Sequence, residues 1–523
     1  MHGRIHFVIA LAAGFAFAGA GDRQMEQLVE TLPYDKTDSR SVEQYGRKMV
    51  GKSFREIYEQ SPTASNYGNP HRKGGLGNLI EECHFLFRAN SDSEADISDA
   101  GVEVKSTPLE YRASDGKVRA GERLVLTMIP NDGPIDVDFE TSHFWSKCRL
   151  MLLIAYHRDR TLADNLDYRV KYVKLFTPSA EDLAIIREDY LHIVDKVRTG
   201  RAHLLSEGET RYLGACTKGS TAEDSTKPQF YRCADDGQVH PARRRAFCFK
   251  QSYMTYVLNH YLVEGKDEVR LDPIVKDASA LRNTTFEDYV GGRARPFVGK
   301  GCAELARTLG VDYDPVRPAK SLWSTLAMRM LGVRTENAAE FEKAGIEVKA
   351  IRLEEDNRME QNVSFPALDL SRLSTDAWED SEIYGTLSGA RFLFVVFKRR
   401  GDDYVFKGLQ FWSMPVEQLQ GGVRRDWQKI VRVLREGVVL RKTGRTSKSG
   451  NPEVENNFPG KSESEVIHLR PHAARASYRL HDGTEFGNPA DRERLPTGEE
   501  MTRQCFWLNK DFVIGILDAR LKD

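Results

Sequence analysis

The sequence predicts a mixed α/β protein made of two tandem copies of one domain, each a mixed sheet flanked by helices. Three observations predict this. Four short blocks recur in the same order along the chain. Apolar runs of strand length alternate with longer stretches of helical spacing. Of 523 residues, 40% are hydrophobic and 29% charged, a globular composition that excludes a disordered or polytopic membrane chain. Lys and Arg (76) nearly cancel Asp and Glu (77), which excludes a uniformly basic chain but leaves room for a local basic groove.

The repeat is read block by block. Val50–Ile57 matches Val298–Leu305, and Gly101–Leu109 matches Gly345–Leu353. Asp189–Gly200 matches Asp426–Gly437, and Phe249–Tyr253 resembles Leu508–Phe512. The offsets drift by a few residues, as loop insertions produce. Two copies are therefore expected over 40–265 and 283–520, with a linker over 266–282. Within the first copy, Leu79 to Phe87 reads as a buried helix and Val102 to Lys105 alternates as a strand. Leu150 to Ala155 reads as a buried strand, with Phe392 to Phe397 as its counterpart in the second copy. Leu183 to Val197 and Trp427 to Leu434 have helical spacing and run toward Gly200 and Gly437, which suit helix ends.

The N-terminus carries an apolar run, Phe7 to Ala20, preceded by Arg4 and closed by small residues. At face value it is a secretory signal. The other reading places the true start at Met25, with residues 1–24 as upstream sequence. The seven Cys are scattered and no pair has CxxC spacing, so free thiols in a reducing compartment are expected and no zinc site is read from spacing.

Chemistry concentrates in Lys73-Gly-Gly-Leu-Gly-Asn-Leu-Ile-Glu81 and in Asp96 followed by Glu103-Val-Lys105. Side chains alternate along a strand, so Glu103 and Lys105 point the same way. Asp96 sits just before that strand and Glu81 comes from the preceding helix. Three carboxylates and an amine gathered together suit metal-assisted phosphodiester hydrolysis. Mg²⁺ prefers hard oxygen ligands and keeps waters, and a nearby lysine can hold the attacking water or stabilise the developing anion.

These residues, with Ser142-His-Phe-Trp-Ser-Lys147, resemble the MutH family, which contains the mismatch-repair nicking endonuclease and the GATC-cutting restriction endonucleases of the Sau type. The resemblance implies a PD-(D/E)xK nuclease core. Asp96 and Glu103 would bind Mg²⁺ with Glu81 assisting, Lys105 would act on the nucleophile or transition state, and Lys147 would support it. Lys73, the segment ending at Lys218, and Lys250 resemble DNA-contacting and closing segments of the family. Double-stranded DNA read at GATC is likewise implied by the resemblance alone.

The second copy departs from the pattern. Glu347-Val-Lys349 is kept, but Glu340 stands at the Asp position, Met328 opposite Glu81, and Ser381 to Ser388 holds no lysine matching Lys147. A thioether is a poor Mg²⁺ ligand. The second copy is expected to bind DNA without cutting it, through Arg424, Arg425 and neighbouring basic residues, and through Arg470 and His472. The two-copy layout resembles the restriction branch, where the second domain binds another site and stimulates the first. A type II restriction endonuclease is expected, acting in the cytoplasm beside a cognate DNA methyltransferase, as a monomer or DNA-induced dimer and without a membrane. That role favours a start at Met25. The alternatives are a mismatch-repair nicking enzyme and a non-catalytic DNA-binding module.

Overall fold

Buried β-rich runs set the framework. In the computed structural model, which describes residues 25–71, 75–89, 94–111, 116–218, 225–263, 271–319, 321–359, 363–447, 450–495 and 497–523, strand Glu103–Tyr111 runs parallel to Met151–His157. Met151 to Ala155 is fully buried, as expected of a strand covered on both faces. Arg169–Phe176 and Val118–Ala120 complete this sheet in antiparallel fashion. A second sheet joins Leu124–Met128, Arg245–Phe249 and Leu213–Thr217, with Arg245–Phe249 central.

The second half repeats both sheets. Ile346–Leu353 runs parallel to Arg391–Arg400, which pairs antiparallel with Asp403–Ser413. Val363–Ala367, Gln504–Leu508 and Ile467–Pro471 form the second sheet, again with the C-terminal strand central. The long helices Ala180–Arg198 and Arg424–Glu436 occupy matching places. The mixed α/β architecture in two tandem halves is thus as the sequence predicts.

The repeated blocks do the same jobs twice. The Gly51 N–H donates to the Val170 carbonyl and the Gly299 N–H to that of Phe406, each glycine at φ 87° before a short helix. The Asp189 carboxylate accepts the N–H groups of Arg211, Tyr212 and Leu213 at 2.7–3.0 Å. Asp426 accepts those of Glu465, Val466 and Ile467 at 2.7–3.1 Å. Both aspartates are fully buried, and each ties the long helix to the start of an edge strand.

One apolar core runs through both halves, from Leu109 and Leu153 to Phe341 and Val395. Each half also keeps a core of its own. Across the junction, Lys343 Nζ donates to Asp182 at 2.5 Å, and Arg391 Nη1 donates to the carbonyls of Gly208 and Glu209. The apolar N-terminal run lies in 1–24, outside the described residues. Among the described residues no helix is long and apolar enough to cross a membrane.

Candidate active site

The site forms at the N-terminal end of strand Glu103–Tyr111. Four segments deliver its side chains. Glu81 stands in the π-helical turn Ile80–His84, which continues helix Gly75–Leu79. Leu79, Ile80 and Cys83 are buried beneath it, which leaves Glu81 half-buried on the other side. A π turn rotates the residues after it, a device common at functional sites. Two residues past the turn, Leu86 is a non-glycine residue at φ 63°.

Asp96 precedes a 3-10 turn, Ser98–Ala100, that doubles back through Gly101 so that Ile97 bridges Val102. This return brings the Asp96 carboxylate onto the Val104 N–H at 2.9 Å, while the Asp96 N–H donates to Glu103 Oε2 at 3.2 Å. Lys147 comes from helix His143–Cys148, started by Ser142, whose hydroxyl accepts the Trp145 N–H.

Glu103, only 2% exposed, is the hub. Lys105 Nζ donates to its Oε1 at 2.5 Å and Lys147 Nζ to its Oε2 at 3.0 Å. Lys147 Nζ also lies 3.6 Å from Asp96 Oδ1. Three carboxyl groups face two amines here, and burial is the leading influence on Glu81, Asp96 and Lys105. Burial first, then Asp96 and Glu103, push the Glu81 carboxyl up to about 8, with Lys105 opposing. Burial, with Glu103, also raises Asp96. Burial pulls the Lys105 ammonium down, but Glu103, Asp96 and Glu81 together outweigh it and hold it above its ordinary value. A buried cluster of three carboxyl groups offers the hard oxygen donors that a divalent cation takes, and such a cation would favour their ionised forms.

The second half has the scaffold without the cluster. Ser381 caps helix Glu382–Gly389 just as Ser142 caps its helix, its hydroxyl donating to the Trp378 carbonyl as that of Ser142 donates to Phe139. Counting from the caps, Thr386 stands where Lys147 does. Glu347 pairs with Lys349 at 2.9 Å but is 41% exposed. Glu340 is buried in helix Ala339–Ala344, where its two carboxylate oxygens accept the N–H groups of Ile274 and Val275. Met328 is buried in helix Leu322–Met330.

Of the residues expected to meet DNA, Lys73 lies outside the described residues. Lys218 is half-buried after edge strand Leu213–Thr217, its N–H donating to the Arg244 carbonyl. Arg470 and His472 are exposed at the matching strand Ile467–Pro471, with Arg470 over the Trp507 ring at 5.2 Å. Arg424 and Arg425 are exposed, and Arg425 is held bidentately by Glu465.

Lys250 corrects the expectation of a DNA contact. It is buried and its Nζ donates to the Thr210 carbonyl at 2.5 Å. Asn509 does the same work in the second half, its amide donating to the Ser464 carbonyl at 2.8 Å. The cause is position: both residues sit at the N-cap of the closing helix, facing the loop before an edge strand. Sequence reasoning missed Asp189 and Asp426 as positioning residues. The signal was present, since each opens one of the repeated blocks.

An oxygen cluster flanked by two lysines at the end of a mixed sheet, on a duplicated α/β scaffold, is an arrangement suited to metal-assisted hydrolysis. The comparisons with known proteins agree. The model of the family described as DNA mismatch repair enzyme MutH matches residues 85–189. The type II restriction enzyme Sau3AI of Staphylococcus aureus is 31% identical over 496 residues, covering 90% of this chain and 97% of that protein. The DNA mismatch repair protein MutH of Vibrio parahaemolyticus is 23% identical, covering 41% of this chain and 90% of its own length. MutH of Escherichia coli is 26% identical over 37% of this chain and 80% of its own length. The chain belongs to the MutH/Sau3AI family of site-specific endonucleases, in its two-copy restriction branch.

Proposed function

We propose that the protein is a type II restriction endonuclease that hydrolyses phosphodiester bonds of duplex DNA at GATC, with Mg²⁺, in the cytoplasm and beside a cognate methyltransferase. The observation that carries the reading is the convergence of Asp96, Glu103, Lys105 and Lys147 in the first half alone. The three carboxyl groups are the hard oxygen donors that this cation takes. Asp96 and Glu103, with Glu81, would hold it. When bound, Mg²⁺ supplies Lewis-acid polarisation of the phosphate and lowers the pKa of a bound water.

The chain's own groups do the rest. The Val104 N–H fixes the Asp96 carboxylate. Lys105 presents an ammonium held in its charged form, suited to orienting the attacking water or stabilising charge that develops on the phosphate. Lys147 neutralises Glu103 and Asp96 in the free enzyme and so keeps like charges together until DNA arrives.

The second half, lacking a counterpart of Lys147 and exposing Glu347, would bind a further DNA site through Arg424, Arg470 and His472 and stimulate cutting. The mismatch-repair alternative is less well supported, because the MutH proteins of Vibrio parahaemolyticus and Escherichia coli match 41% and 37% of the chain, whereas the restriction relative spans both halves. The test is digestion of an unmethylated plasmid in Mg²⁺ or in chelator, with Glu103→Ala beside the wild type. Fragments ending at GATC, lost in chelator and in the variant, are expected. Single-strand nicks alone would favour the nicking reading, and undiminished cutting by Glu103→Ala would refute the assigned site.

A further inference from the structure

Far along the chain from the carboxylate cluster, a turn gathers three ligand types that cutting does not use. Cys233 Sγ, an Asp236 carboxylate oxygen and a His240 ring nitrogen all lie within 4.8 Å of one another. The turn is built to hold them so. The Cys233 N–H donates to the Gln238 carbonyl at 2.7 Å and the Gly237 N–H back to the Cys233 carbonyl at 2.8 Å, with Gly237 at φ 71°. Cys233 is buried at 5% exposure, while Asp236 and His240 approach it from the solvent side. His240 Nε2 lies 2.7 Å from Asp236 Oδ2, and Cys233 Sγ lies 3.7 Å from Asp235 Oδ2. The His203 ring lies tilted against that of His240, centroids 4.5 Å apart, with its Nδ1 3.2 Å from Gln229 Nε2.

The turn is anchored to the end of the long helix. The Ala234 N–H donates to the Thr199 carbonyl, and Arg201 grips Asp235 bidentately at 2.5 and 2.8 Å. Gly200 abuts the turn's backbone so closely that a Cβ there would lie 2.3 Å from Arg232. Such anchoring limits the entropy that ordering the ligands would cost.

We propose that Cys233, Asp236 and His240 form a Zn²⁺ site. Thiolate, imidazole and carboxylate are the donors this borderline-soft cation takes in tetrahedral geometry, and the fourth position falls to water. Binding replaces the Asp236–His240 hydrogen bond and releases the Cys233 thiol proton to solvent. The ion staples the turn to the helix and so holds the segment behind it, where Arg243 pairs with Glu379 of the second half and the Arg244 carbonyl accepts the Lys218 N–H. The absence of any CxxC pair hides the site from cysteine spacing, because two of its ligands are not cysteine.

Co²⁺ reports on the site directly, since a thiolate ligand gives a charge-transfer band in the near ultraviolet that oxygen ligands do not. Full-length protein stripped by chelator is titrated with Co²⁺ and back-titrated with Zn²⁺. One equivalent should produce the band and Zn²⁺ should abolish it. Cys233→Ser and the surface variant His240→Gln should each lose it, while Glu103→Ala should keep it. The proposal is overturned by a wild type without the band, or by a band that survives in either ligand variant. A failure of DNA cutting leaves this readout unaffected, so the two readings fall separately.

Discussion

Replacing Asp189 or Asp426 with Asn tests whether the two halves are held by one duplicated device. In each half a fully buried carboxylate accepts three backbone N–H groups at the start of an edge strand. In Asp189, Oδ2 serves Tyr212 and Leu213, and Oδ1 serves Arg211. An asparagine keeps one acceptor oxygen for two of the donors and turns its NH₂ against the third. It also forfeits the charge that strengthens all three bonds. A hydrogen bond to a charged group contributes about 1.5–3 kcal/mol, and a buried donor left unpaired costs about 1–3 kcal/mol. The local cost is therefore at least about 3 kcal/mol in each half, and larger at Asp189, whose Oδ1 also pairs with the buried Arg211 guanidinium at 3.0 Å. Hydrogen exchange followed by mass spectrometry reads it locally. At ~1.4 kcal/mol per tenfold change, peptides covering 211–213 in Asp189→Asn, and 465–467 in Asp426→Asn, should exchange at least about 10²-fold faster. Exchange unchanged in either variant would show that the carboxylate is not what holds that strand, and the shared device would be refuted.

Other outcomes follow from the same geometry. Lys147→Met removes the ammonium 3.0 Å from Glu103 and 3.6 Å from Asp96; cleavage should fall by ~10²-fold with DNA retention in gel shift little changed, and full activity would remove Lys147 from the site. His84 is buried and held down to about 4, chiefly by desolvation, against an ordinary 6.5. The unfolded chain therefore binds the extra proton between pH 6.5 and 4. Stability is present above pH 6.5 and lost as pH falls toward 4, by up to ~3 kcal/mol relative to His84→Gln; a flat difference across that window in urea unfolding would contradict the burial. Lys250 is held down to about 8 by burial against an ordinary 10.5. The unfolded state carries the extra proton from pH 8 to 10.5, so the wild type should gain stability on Lys250→Asn across that rise, by ~3 kcal/mol. No gain would mean that Lys250 is solvated. Gly200→Ala forces a Cβ against the Arg232 backbone at 2.3 Å and φ 67°. Its melting temperature should drop and the Co²⁺ band at Cys233 should weaken together, whereas an unperturbed band would separate the turn from the helix end.

Periodicity and repetition made much of the scaffold legible. The fully apolar runs Leu150 to Ala155 and Phe392 to Phe397 can only be buried strands or helices, and their short length selects strands. The blocks kept order because each carries a local job, such as the glycine at φ 87° or the aspartate that accepts three N–H groups. Glu103 and Lys105 were readable as neighbours because strand alternation places them on one face. Lys250 was misread because a lysine next to an aromatic closing strand looks alike whether it faces DNA or a carbonyl. Only the N-cap geometry separates the two.

What the amino-acid order alone determined was local in reach: which runs are strands, which face Glu103 and Lys105 share, and that the chain is built twice. The tertiary structure decided everything that depends on distance across the chain. Lys147, 44 residues from Glu103, becomes its partner only because a serine-capped helix ends beside the strand. Thr386 fills the same place in the second half and leaves Glu347 exposed. The physical reason is that charge and burial act through space. A carboxylate becomes a ligand or a structural clamp according to what surrounds it, and spacing along the chain does not record that.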